Sequence, residues 1–213
     1  MLHASTLRSP NAPARASCAP GNHEAEDFAC TLITSRQNIS PKRLVEPGPS
    51  AAQLERILNA AAAAPDHGEL TPWRFVIVPQ DKRMLLAEVF AAALIDRDAG
   101  ATALQIESAR EKAHRAPLLM LAVARLGPSE PDIPAEERLV SLGCALQNML
   151  LVAHAMGYGA GLTSGQAMTS PRLRELFALA EGERAVCCIN VGSVTKRRPM
   201  RLRPAPAAIV RTL

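Results

Sequence analysis

The apolar positions of the chain fall into helical and strand periods separated by proline and glycine breaks. Phe28, Leu32 and Ile33 mark a helix from Glu24 to about Ser35, with Asn22 as its cap. Glu24, Glu26 and Asp27 lie near the positive end of its dipole. Ser50-Ala-Ala-Gln53 reads as a capping box that opens a second helix, with Leu54, Ile57, Leu58 and Ala61 on one face and an end near Ala63. Pro65 stops it, because proline lacks the N–H and pushes Ala64 out of the helical region. Trp73–Val78 then reads as a strand, Lys82–Asp96 and Ala99–Arg115 as helices, and Pro117–Leu126 as a continuous apolar strand covered on both faces. Ala135–Met156 is the strongest helix, apolar nearly all round, so it is either the core axis or a subunit interface, with Leu146 placed at that interface. Ser170-Pro171 opens a further helix to about Leu179, and Ala185–Val191 is a last strand.

Four polar breaks are candidates for chemistry. Ser35–Leu44 offers Arg36, Gln37, Asn38 and Ser40 where a helix ends, and reads either as a solvated loop or as a grip for an anion, with Arg36 able to pair bidentately with phosphate. The loop Asp66–Pro72 holds His67 next to the chain's only tryptophan, and is either a plain turn with a surface histidine or a ligand loop. Gly157–Gly165 is glycine-rich. Its glycines alternate with Tyr158 and Ala160, and it is neither a dinucleotide fingerprint nor a P-loop, reading as a tight turn or as a backbone that lets a flat ligand come close. Gly192–Arg203 is basic, with Lys196, Arg197, Arg198, Arg201 and Arg203.

Composition narrows the classes. A chain of 213 residues with 48% hydrophobic residues suits one substantial core, and 3% aromatics leaves Ala, Leu and Val to build it. The net charge of +4 is spread out without interleaved aromatics, which argues against a nucleic-acid partner. The five cysteines include no C-x-x-C, and Cys187 and Cys188 should face opposite sides of a strand. This suggests reduced thiols, a cytoplasmic location and no metal site. No apolar run is long enough to span a membrane, and residues 1–21, rich in Ala, Ser and Pro, read as a disordered or loosely ordered extension before one domain from 22 to 213.

The A-P-D-H segment followed by P-W-x-F resembles the nitroreductase-like flavoproteins, and most of all their short bacterial NAD(P)H nitroreductase subgroup. The resemblance spans roughly residues 24–213. It implies an α+β fold, a three-layer sandwich with a mixed, mostly antiparallel sheet flanked by helices, in an intertwined homodimer with FMN at the subunit interface. It implies FMN contacts at Arg36, Gln37, Asn38 and Ser40, then at Ala63 and His67, then at Leu162, Thr163 and Ser164, with Lys196 and Arg197 as candidates for the phosphate. Gln37-Asn38 departs from the commoner Arg-Ser pair, and Ala63 stands where many relatives have arginine. Val152, Ala153, His154, Ala155, Met156 and Gly157 match the stretch linked to the nicotinamide nucleotide. The implied activity is hydride transfer from NADH or NADPH through flavin N5 to a nitroaromatic, quinone-like or other small acceptor, with the flavin and no protein group as the catalyst. A flavin-consuming relative, and a non-enzymatic dimeric helical module, are the alternatives.

Overall fold

The computed structural model describes residues 22–127, 132–197, 199 and 202–213. The extension at 1–21, Arg198 and part of the 127–134 loop lie outside the described residues. Five strands form one sheet: β1 (Leu44–Val45), β2 (Trp73–Ile77), β3 (Leu118–Arg125), β4 (Gly159–Thr163) and β5 (Glu183–Val194). β3 runs antiparallel between β2 and β5, while β5 also pairs antiparallel with β4 and, at its last two residues, with β1. A parallel contact is made at the isolated bridge Asn38–Ala160.

Helices cover both faces: α1 (His23–Ser35), α2 (Ala51–Ala62), α3 (Arg83–Arg97), α4 (Ala103–Glu111), α5 (Ala135–Ala155) and α6 (Pro171–Leu176). The pleat sorts the core. Met120, Ala122 and Ala124 of β3 pack with α2 and α5, while Leu119, Leu121 and Val123 pack with α3, α4 and α6. Cys187 goes to the first face and Cys188 to the second, as their adjacency requires. Seven of the eight β3 residues are buried, which accounts for its unbroken apolar sequence.

Local chemistry sets the boundaries. Asn22 Oδ1 accepts from the Ala25 N–H, and the Ser50–Gln53 capping box forms in both directions. The expected Ala99–Arg115 helix is shorter, because Thr102 and Gln105 make a second capping box that starts α4 at Ala103. A 3-10 turn follows it at Lys112–His114. That turn is held by Arg83, a fully buried cation whose Nε donates to Val78 and whose other nitrogens donate to the carbonyls of Ala113, Ala116 and Pro117. Leu146 corrects an expectation: it lies in the core against the sheet and not on an outer face. The outward stripe of α5 is Val140, Gly143, Cys144, Gln147 and Leu151, with Val140 68% exposed. No residue of α1 is buried, and Phe28 and Ile33 face outward.

Candidate functional site

The first and third candidate segments meet. Ile39 N–H donates to the Ala160 carbonyl at 2.9 Å, and Asn38 Oδ1 accepts from the Leu162 N–H at 3.3 Å. This leaves Asn38 Nδ2 as a free-facing donor group on an exposed residue. The contact needs Gly161, since a Cβ there would lie 2.3 Å from the Ile39 oxygen. Behind Thr163, the buried Asn190 of β5 donates Nδ2 to Thr163 Oγ1 at 3.0 Å and to the Gly161 carbonyl at 3.3 Å. Ser164 Oγ donates to the Val186 carbonyl. A cleft of about 320 Å³ opens beside this edge. Ser40, Thr163, Ser164 and Gly165 line one part of it, and Arg97 and Lys112 bring positive charge from α3 and the turn after α4.

Arg36 stands at the end of α1, half-buried, its Nε enclosed without a hydrogen-bond partner. Partial burial, then the charge of Arg203, push its guanidinium below the ordinary value. Arg203 donates Nη2 to the Arg36 carbonyl at 3.3 Å, and Arg197 donates to the Gly157 carbonyl. Ser35 Oγ and His154 Nε2 share a hydrogen bond of 2.9 Å. Burial, then Arg197 and Arg36, hold the His154 ring below its ordinary pKa of 6.5. Among the described residues no carboxylate is paired with Arg36, Arg197 or Arg203.

The second segment lies elsewhere. His67 Nδ1 donates to Glu137 Oε2 at 2.7 Å, in the first turn of α5. Its loop is closed by the Thr71 N–H donating to the Asp66 carboxylate, and Gly68, Glu69 and Thr71 all take positive φ. Ala63 is the exposed cap residue of α2. His67 therefore sits at the start of α5 and His154 at its last turn. At 1.5 Å per residue, the 17 steps between Glu137 and His154 separate these ends by about 26 Å.

The other expected residues fall as follows. Gln37 is half-buried beside Arg36, and Lys196 is exposed. In the stretch 152–157, Ala153 is packed in the core, His154 faces Ser35, and Ala155 and Gly157 are exposed. Arg203 at Arg36, Asn190 behind Thr163, and Glu137 on His67 were missed as site residues. Only Arg203 left a signal, as a member of the basic tail. Burial pushes Cys187 to about 11 and Cys188 to about 12, so neither is a thiolate nucleophile at neutral pH. Among the described residues no His, Cys, Asp and Glu are grouped to hold a metal ion, and no helix is long and apolar enough to cross a membrane.

Residues 40–193 match the model of the nitroreductase family. The chain belongs to that family. A Haemophilus influenzae relative named "Putative NAD(P)H nitroreductase" is 36% identical over 165 residues, which cover 78% of this chain and 88% of the relative. Among solved structures, a nitroreductase-like family protein from Bacillus cereus superposes with a TM-score of 0.75 at 19% identity, covering 86% of this chain and 95% of that one. An FMN-dependent nitroreductase from Clostridium difficile superposes with a TM-score of 0.58 at 16% identity, covering 81% and 91%. These two establish the fold: an α+β sandwich of the nitroreductase type.

Proposed function

We propose that the protein is an FMN-dependent oxidoreductase that uses NADH or NADPH to reduce small electron acceptors, nitroaromatic or quinone-like compounds among them. The observation that carries this is Arg36. Among the described residues its buried Nε has no hydrogen-bond partner and no carboxylate is paired with it, Arg203 adds a second cation, and the segment that follows pairs with β4 through Asn38 and Ile39 and reaches a cleft at Ser40. Such a set fits a dianionic phosphate attached to a flat, polar-edged ring.

When bound, FMN supplies the hydride chemistry, accepting at N5 from the nicotinamide nucleotide and yielding to the acceptor. The chain binds and tunes. Arg36 and Arg203 would hold the phosphate, with Arg197 as a further cation of the cluster. Asn38 and Ser40 would supply neutral hydrogen bonds, and the Leu162–Ser164 backbone would be the edge that holds the ring. Arg97 and Lys112, which line the cleft, would favour negative charge on a ligand held there.

His67 is too far from Arg36 along α5 to share its ligand within one copy, and Ala63 caps the helix that leads into the His67 loop. We therefore assign them to the groove of a second copy, in a homodimer with two shared sites. A cytoplasmic location, where reduced pyridine nucleotide is available, goes with this reading.

An absorbance spectrum tests it. The purified protein should be yellow and should bleach without oxygen on addition of NADH or NADPH. A colourless protein that ignores added FMN refutes the proposal. Loss of the flavin itself during turnover under oxygen would replace acceptor reduction with flavin breakdown.

A further inference from the structure

The cationic cluster at the carboxyl end of α5 has one member whose charge is not fixed. Three elements close on the His154 ring. The end of α1 brings Ser35 and Arg36, the chain after β5 brings Arg197, and α5 carries the ring itself. Arg203 stands behind Arg36, donating to its carbonyl, and its charge acts on the Arg36 guanidinium. With no paired carboxylate among the described residues, the charged imidazole is disfavoured there. Ser35 can share its hydrogen bond with the neutral ring as donor or acceptor, and can accept from the charged one. A phosphate monoester, carrying about −1.5 to −2 at neutral pH, would offset much of that positive charge and give the charged ring an anion to face.

We propose that His154 is the proton-linked member of this anion site, neutral while the cluster is empty and protonated from solvent when a phosphate monoester settles among Arg36, Arg197 and Arg203. The inference rests on the proposed flavin chemistry only for which phosphate arrives. FMN and the 2′-phosphate of NADPH are both phosphate monoesters. The sign follows from linkage. A pKa raised by binding means that the complex holds more protons than the free protein, so affinity rises as pH falls through the window between the free and bound values. Each unit gained by His154 makes binding about tenfold tighter below both values. The site would thus hold its phosphate more firmly as the surroundings acidify, in contrast to a site of arginines alone, whose charge does not respond.

The full chain, freed of flavin, is titrated with FMN and with riboflavin by calorimetry at pH 7 in two buffers of different ionisation enthalpy. The ligand's own second ionisation, near 6, releases protons in any cationic site. The difference between wild type and His154→Gln therefore isolates the ring. Wild type should take up more protons than the variant with FMN, and the two should agree with riboflavin. The His154 ring-proton shift, followed by NMR against pH with and without saturating inorganic phosphate, gives the same answer without a variant: its midpoint should move up.

Uptake seen with NADPH but not NADH on the flavin-loaded protein assigns the site to the nucleotide and keeps the proposal. Uptake with inorganic phosphate in a protein that ignores FMN keeps it too, while removing the flavin reading. An unmoved His154 midpoint, with FMN bound normally, overturns the proposal and leaves the flavin reading intact.

Discussion

Arg36 and Glu183 show two opposite uses of a charged side chain. Glu183 is matched: Arg74 donates Nε and Nη2 to its two oxygens at 2.7 Å each, and the side chain is 11% exposed. The Arg74 hydrogen bond, opposed by burial, draws its carboxyl from an ordinary 4.5 down to about 2. The folded pKa is depressed, so the stabilisation is complete above the unfolded value and is lost as pH falls from about 4.5 to 2. It amounts to something on the order of 3 kcal/mol. Urea unfolding should show Glu183→Gln clearly weaker than wild type at pH 7 and the two converging near pH 2. Arg36 is unmatched, and its value should appear on binding. Arg36→Ala should weaken FMN by ~1.5–3 kcal/mol, the worth of a charge-assisted hydrogen bond. Flavin-fluorescence titration measures this, and unchanged affinity would remove Arg36 from the site.

Among the elements, α5 decides most. A Cβ at Gly143 meets nothing within 4 Å in one copy, and the residue lies on the exposed stripe with Val140 and Cys144. Gly143→Leu should therefore leave a single copy intact or firmer, since glycine costs a helix about 1 kcal/mol. If the second copy packs on this stripe, the same change should convert dimer to monomer by light scattering with the helical spectrum retained. A dimer that persists moves the interface elsewhere.

The extent of this helix was legible from its apolar spacing, as were the Ser50 box and the break at Pro65. Its facing was not. A helix apolar on nearly every side does not reveal which side meets its own sheet, and Leu146 went to the wrong one. The late start of α4 was written in the sequence as the Thr102-x-x-Gln105 capping box but went unread, and the helix was started at Ala99 instead. The pairing of 38–39 with β4 left no comparable mark, since it rests on the absence of a side chain at Gly161. The candidate segments could be read in order along the chain, but periodicity says nothing of which end of α5 each one reaches. That is why Glu137 and Asn190, whose roles depend on partners distant in sequence, went unread.

For the whole molecule, the separation of the His67 end from the Arg36 end makes a test by mixing possible. One protein carries Arg36→Ala and another His67→Ala, each expected to hold flavin poorly as a homodimer. If each groove takes Arg36 from one copy and His67 from the other, co-refolding puts one intact groove in every mixed dimer, or about a quarter of all grooves at equal amounts. Flavin retained after gel filtration should rise to that level. No recovery would place both residues in separate sites.

The length of α5 then acquires a meaning beyond packing. In the proposed symmetric pair the rod would be used twice, once by each copy, as the spacer between the Arg36 end and the His67 end. Extra residues can accumulate at 98–102 or after β3 without disturbing that spacing. One added turn within 135–155 would slide both half-grooves out of alignment together, so drift in chain length among kin should spare this segment while altering the loops around it.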